Sequence, residues 1–327
     1  MKRRIAGVIF VLVVVFALAP SGAFASGTRP SFGMLGAVPR RGAALGRMFA
    51  ADTTATRTAR RRGNLLYHGG AILKLSTTHA IFWDPSGHSF PNGYEAVIEQ
   101  YFTDVAADSG GRDNVYSVGT QYFDKKANGA IKDHANYHVI DGGPILDSDP
   151  FPLDGCTGGS GYTNCINDSQ IQTEVLNVAT TRGLNDIYFM FLPPGVDTCL
   201  GGNQCASNAF CAYHSGFFTS NGIVLYANQP YASVSNIYGS CVTGDRPNSS
   251  DADDTLNVVS HEHNETITDP TGRGWFARSG LENGDKCDFN FGPLIGAGYN
   301  QIINGDRYYL QQEWSNRKNL HGCRQRL

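Results

Sequence analysis

The chain has 327 residues, 41% of them hydrophobic and 17% charged, with a formal charge of −3 at pH 7. That charge divides sharply: residues 1–63 carry +10, which leaves −13 for residues 64–327. An acidic folded part argues against a nucleic-acid partner, and no run after the first 25 residues is long and apolar enough to cross a bilayer.

Lys2, Arg3 and Arg4 precede an apolar run from Ile5 to Ala19, and Ala23-Phe24-Ala25 is a small-residue cleavage signal. Residues 1–25 therefore read as a secretory signal peptide, with the mature chain starting near Ser26 in an extracellular setting. Residues 26–63 are rich in Ala, Gly, Thr and Arg and end in Arg60-Arg61-Arg62. They read as a disordered linker or a removable pro-segment. Residues 64–327 are expected to form one domain, or two lobes around one site.

Leu65 to Trp83 reads as extended, broken by a Gly-Gly and a polar stretch. Tyr94 to Asp108 is predicted helical, since Val97, Ile98, Tyr101, Phe102 and Val105 recur at helical spacing and Gly110-Gly111 stops the run. Asn114 to Phe123 reads as a strand, and Asp124 to Asp154 as loop, with His134 and His138 as surface histidines. A second helix is predicted from Ser169 to Arg182, capped by Asp168 or Ser169 and stopped by Gly183. Ile187 to Leu192 reads as a buried strand. Phe210–Phe218 and Ile223–Asn228 read as a hairpin turning at Asn221-Gly222. A last hairpin is expected from Tyr299 to Trp314 around Asn304-Gly305. Strands alternating with helices imply a mixed α/β (α+β) fold, a mixed sheet with helices packed on it.

Eight cysteines all follow position 150. In a secreted chain an even count implies disulfides, and the absence of C-x-x-C spacing argues against a four-cysteine zinc site. Short loops suggest Cys156–Cys165 and Cys199–Cys205, which leaves Cys211–Cys241 and Cys287–Cys323.

The chemistry is concentrated in Ser260-His261-Glu262-His263-Asn264-Glu265, an H-E-x-x-E sequence. On a helix, His261 and Glu265 share one face. This is the layout of the H-E-x-x-H metalloprotease helix with a carboxylate in place of the second histidine. His261 and Glu265 can hold a divalent metal there, and Glu262 can take a proton from water as general base. Leu256, Val259 and Ile267, with His263 between, form an apolar stripe on the other side. Asp251, Asp253 and Asp254 suit the helix start, and Asp269-Pro270 suits its end.

Catalytic zinc usually has three protein ligands. Asp285 is the first candidate for the third and Glu282 the second, both near Cys287. His214, on the preceding hairpin, is a ligand or a transition-state donor at the cleft edge. Zinc is the first choice of ion, with calcium or manganese favoured by so carboxylate-rich a set.

Four stretches also resemble the secreted EXORDIUM-like (phosphate-induced) protein family. They are Tyr67-His68-Gly69-Gly70-x-Ile72-Leu73, Cys211-x-x-His214, Val259-Ser260-His261-Glu262 with Glu265, and Glu282-x-x-Asp285-x-Cys287. The likeness runs thinly over most of residues 64–327. It implies that His261, Glu265, Glu282 and Asp285 form one constellation, and it implies an extracellular or cell-wall setting without specifying an activity. The plant members end the helix in Asn-Pro, where this chain has Asp269-Pro270. The metal helix is similar to that of zincins, in which an N-terminal sheet and the helix frame a cleft. No methionine follows Met190, so the Met-turn of metzincins is missing.

Two functions follow as expectations. The first is a secreted, zincin-like metallopeptidase acting on extracellular protein or peptide. The second is a non-catalytic protein that binds protein or cell-wall carbohydrate around a structural metal, with Trp83, Trp275 and Trp314 as a candidate platform. A glycosidase pairing Glu262 with Glu282 is a third and weaker reading.

Overall fold

A computed structural model of the chain describes residues 36–39, 63–201, 203–232 and 241–327. The expected signal peptide, residues 1–25, lies outside the described residues, as does most of the segment 26–63.

Six strands form the central sheet: β1 (Gly36–Pro39), β2 (Ser76–Trp83), β3 (Val139–Asp147), β4 (Asp186–Phe191), β5 (Phe210–Thr219) and β6 (Gly222–Gln229). Their order is β1-β5-β6-β4-β2-β3. β3, β2, β4 and β6 run parallel; β5 pairs antiparallel with β6, and β1 pairs antiparallel with β5. Among the described residues the α-helices are α1 (Tyr94–Ala107), α2 (Tyr116–Gly119), α3 (Asp168–Val178) and α4 (Ala252–Thr268). The expected mixed α/β class is what the chain adopts.

Both faces of the sheet are covered, which is why its central strands are apolar runs. On β4, Ile187, Phe189 and Phe191 face a cluster that holds Tyr94, Ile98, Tyr101 and Phe102 of α1 and Leu256 and Val259 of α4. Tyr188 and Met190 face the other way, towards Ile171 and Val175 of α3. Burying one large apolar side chain contributes roughly 1.5–3 kcal/mol, so these two layers are the main source of stability.

Cys156–Cys165 and Cys199–Cys205 form as their short loops suggested, and the other four cysteines pair as Cys211–Cys241 and Cys287–Cys323. The last hairpin pairs Gln301–Ile303 with Asp306–Tyr308. Asn304 and Gly305, at its turn, both have positive φ, as a type I′ turn requires. No helix among the described residues is long and apolar enough to cross a membrane.

Several local expectations are corrected. Residues 114–123 are not a strand. The Asn114 side chain accepts the Tyr116 N–H and its carbonyl accepts the Ser117 hydroxyl, and these local bonds start α2 instead. Residues 124–154 are not all loop, because β3 lies within them. Its apolar–polar alternation is interrupted by Gly142-Gly143-Pro144, which an edge strand tolerates. The cap of α3 is Asn167, in a capping box with Gln170. Asp168 accepts instead from the hydroxyls of Tyr213 and Tyr226. α3 stops at Val178, short of Arg182, because Thr181 is bonded to the Tyr188 hydroxyl. The β5–β6 turn is Ser220-Asn221, one residue early, with Thr219 opposite Gly222.

β1 comes from the segment that composition marks as linker or pro-segment. Gly36–Pro39 are nevertheless buried and paired along β5.

Candidate metal centre

The centre is assembled by three elements on one face of the sheet. The first is α4. Leu256, Val259 and Ile267 seat it in the core, and His263 between them bonds to Ser76 Oγ at 2.9 Å and to Tyr116 OH at 3.1 Å. Burial alone pushes the His263 imidazole down to about 3, so it is a neutral structural residue. At the helix start, Asp253 accepts the backbone N–H groups of Asn248 and Ser250, and Asp254 accepts that of Thr243. At its end, Asp269 Oδ1 accepts the N–H groups of Arg273 and Gly274, both at 2.7 Å. Asp269 is thus a helix stop, as the neighbouring proline suggested.

The second element is β5, which carries His214. The third is the 3₁₀ turn Asp285–Cys287 with Glu282 just before it. The Cys287–Cys323 disulfide anchors this turn. Gly284 allows it to sit against the helix, because a Cβ there would lie 2.9 Å from the His261 ring. Gln311 Nε2 donates to the Gly284 carbonyl at 2.9 Å, and the Trp314 N–H donates to the Asn283 carbonyl at 3.1 Å.

The fold brings all six candidate residues together. His261 Nε2 is 2.9 Å from Glu265 Oε1 and 3.7 Å from Asp285 Oδ1. The Asp285 N–H donates to Glu265 Oε1 at 2.9 Å, and the Glu282 N–H donates to Asp285 Oδ2 at 3.0 Å. His214 Nδ1 is 2.9 Å from Glu262 Oε2 and 3.6 Å from Glu265 Oε2, while its Nε2 is 3.8 Å from Glu282 Oε2. Glu265 therefore joins two groups of possible ligands: His261, Glu265 and Asp285, and His214, Glu262 and Glu265. In each group the ligand atoms lie within 4.8 Å of one another.

The electrostatics are those of an unneutralised acid cluster. Glu262, Glu265, Asp269, Glu282 and Asp285 are all at most 2% exposed, as are both histidines. Burial pushes the Glu282 carboxyl well above its usual range, and the charges of Asp269 and Glu265 add to this. Burial, with Asp285 close by, pushes Glu265 up to about 7 against the pull of His261. Burial opposes charge on His261, but Glu265 and Asp285 outweigh it and hold the imidazole well above its usual value. His214 is raised in the same way, with Glu262 outweighing burial.

No family model, no curated protein and no solved structure matches this chain.

The donor set suits a divalent cation. His214 Nε2, His261 Nε2, Glu265 Oε2, Glu282 Oε2 and Asp285 Oδ1 are all buried without a hydrogen-bond partner. Unpaired buried polar atoms are expensive, and several on adjoining residues have one economical explanation, a shared cation. The spacings are close. Ligand atoms about 2.0–2.2 Å from a tetrahedral ion stand roughly 3.4 Å apart. Between these unpartnered atoms, His261 Nε2 and Asp285 Oδ1 stand 3.7 Å apart and His214 Nε2 and Glu282 Oε2 3.8 Å, slightly longer than that value.

Sequence reasoning missed two participants. Glu313 is fully buried with both carboxylate oxygens unpartnered, and burial pushes it well above its usual range while the His261 charge pulls it back. Its only signal is a glutamate beside Trp314 in a short strand buried on both sides. The other is Gly36. A Cβ there would fall 1.9 Å from Glu265 Oε2 and 2.6 Å from His214 Cε1, so the β1 backbone lies directly on the centre.

Proposed function

We propose that the protein is a secreted, zincin-like, metal-dependent hydrolase acting on peptide bonds in extracellular proteins or peptides. The observation that carries this is the convergence of unpartnered His261, Glu265, Glu282 and Asp285 atoms beside Glu262, itself held by His214. His261, Glu265 and Asp285 hold the ion, with Glu282 as the nearest further carboxylate. Zinc is the first choice, and calcium or manganese the alternatives for a set with this many oxygens. A bound ion supplies a Lewis acid and lowers the pKa of water.

The chain's own residues supply the proton handling. Glu262 Oε2 is held by His214 Nδ1, and Glu262 Oε1 has no partner. That free oxygen is available to accept a proton from water, and His214 fixes the direction in which it points. The sheet ahead of the metal helix, with antiparallel β5 beside it, agrees with the zincin reading. The disulfides agree with an extracellular address.

The second reading is a non-catalytic extracellular protein with a structural metal. It is favoured by the near-complete burial of the ligands, since structural sites are closed. A carbohydrate platform of tryptophans has less support, because Trp83, Trp275 and Trp314 are all buried.

Glu262→Gln separates the two readings. On the hydrolase reading it abolishes peptide cleavage and leaves one ion per chain. Cleavage retained in Glu262→Gln contradicts the role of Glu262. An ion-loaded chain inert towards a broad peptide library supports the structural reading.

A further inference from the structure

We infer that β1 is an intramolecular plug on the centre, and that the strand edge it covers is the docking edge for an extended peptide. This inference rests on the hydrolase reading and deepens it, naming how a peptide enters and what keeps it out.

β1 adds to β5 as a short antiparallel strand, with Gly36 opposite His214, Ala37 opposite Tyr213 and Val38 opposite Ala212. The other edge of β5 is already taken by β6. β1 also lies against α4 and against the Asp285–Cys287 turn. Four residues therefore touch all three elements that carry the candidate ligands.

The sequence of β1 suits this position. Gly36 is required by space, since any side chain there would strike Glu265 and His214. Ala37 is small, and Val38 fills a pocket made by Ala212, Val258 and the Cys211–Cys241 disulfide. The strand carries no charge of its own to neutralise the acids below it. The register shifts between Val38 and Pro39, and proline has no N–H with which to extend the ladder. The attachment is thus main-chain pairing plus two small apolar side chains, Ala37 and Val38, each in a buried cluster. This is the mode by which extended peptides join an exposed sheet edge.

So short a strand stays in place because it is tethered. Residues 40–62 link it to the globular part, and a tether of that kind supplies an effective concentration near the millimolar range. The tether carries Arg40, Arg41, Arg47, Arg57 and the run Arg60-Arg61-Arg62. One cut after any of these arginines turns an intramolecular strand into a dissociable peptide and frees β5 for an extended peptide from outside.

The test uses the full secreted chain, the same chain nicked by an arginine-specific protease, and the full-length Gly36→Leu variant. The probe is a fluorescent peptide of the sequence Leu35-Gly36-Ala37-Val38-Pro39, and bound metal is measured in parallel. The nicked chain, after removal of the released segment, and Gly36→Leu are expected to bind the probe roughly tenfold or more tightly than the intact chain. A probe with leucine in place of its glycine should bind neither. Gly36→Leu keeps the test valid if nicking unfolds the chain. Equal probe binding by intact and opened chains, or binding by none, overturns the plug. Metal present without any difference in probe binding overturns the plug and leaves the metal centre standing. The binding difference without metal upholds the plug and overturns the metal centre.

Discussion

His214 Nδ1 lies 2.9 Å from Glu262 Oε2, and both side chains are buried. The residues are 48 positions apart, on β5 and α4, so the contact exists only because the helix crosses that strand. His214 Nδ1–H donates to one carboxylate oxygen of Glu262 and leaves the other free. His214→Ala is therefore expected to lower hydrolysis by about 100-fold with bound metal unchanged, a loss typical of disturbed general-base catalysis. Steady-state kinetics beside metal analysis checks this. Loss of the ion in the variant would make His214 a ligand instead.

Gly284→Ala tests how the third ligand is held. A Cβ at 284 would lie 2.9 Å from the His261 ring, with the turn pinned on its other side by Gln311. Neither partner has room to yield, so the variant is expected to lose about 1–3 kcal/mol of stability, as overpacked sites do. Its metal affinity should fall as well, because Asp285 follows Gly284 directly. Denaturant titration and chelator competition measure the two effects.

Removing the Cys287–Cys323 bridge tests the anchor. It closes a sequence separation of 36 residues, for which chain-entropy arguments give about 3–4 kcal/mol. The double variant Cys287→Ala/Cys323→Ala should melt lower and also exchange its ion faster, since the bridge ends on the turn that carries Asp285. Removing Cys156–Cys165, which closes a separation of only 9 residues, should cost somewhat less, about 2–3 kcal/mol, with no change in ion exchange, and is the matching control.

Much of this was legible in advance, and the reasons are physical. The metal helix announces itself by acids at its start, an apolar stripe at Leu256, Val259 and Ile267, and Asp269-Pro270 at its end. All of these signals are local. Cys156–Cys165 and Cys199–Cys205 followed from loop length, and the Asn304-Gly305 turn from its need for positive φ. The centre itself was legible only as a list of residues, because the meeting of His214, Glu262 and Glu282 is set by sheet order. β3 escaped notice because glycines and a proline break its alternation. β1 escaped because four small residues in an arginine-rich stretch carry no periodicity, and its role appears only in what Gly36 touches. Glu313 escaped because burial of a lone glutamate has no signature in sequence.

A second acidic cluster, remote from the centre, gives a pH prediction. Burial, with Asp147 and Asp149 nearby, pushes Glu174 on α3 up to about 7, and Asp147 is raised as well. A carboxyl raised in the folded state favours the native chain most below its unfolded pKa. That contribution is lost as pH climbs through 7. Glu174→Gln should therefore stabilise the protein at pH 8, by the order of 1 kcal/mol once solvent screening is allowed for. It should have little effect at pH 4. Thermal melts of both proteins across that range read out the difference, and a benefit larger at pH 4 than at pH 8 would reverse the assignment.

The central claim is that the buried acids and histidines below β1 hold a cation. Metal content by mass spectrometry on the secreted chain, beside Glu265→Ala, tests it most directly. Glu265 is the residue common to both ligand groups, so the account expects close to one divalent ion per native chain and almost none in the variant. A native chain without metal, or a variant that keeps its ion, would contradict it.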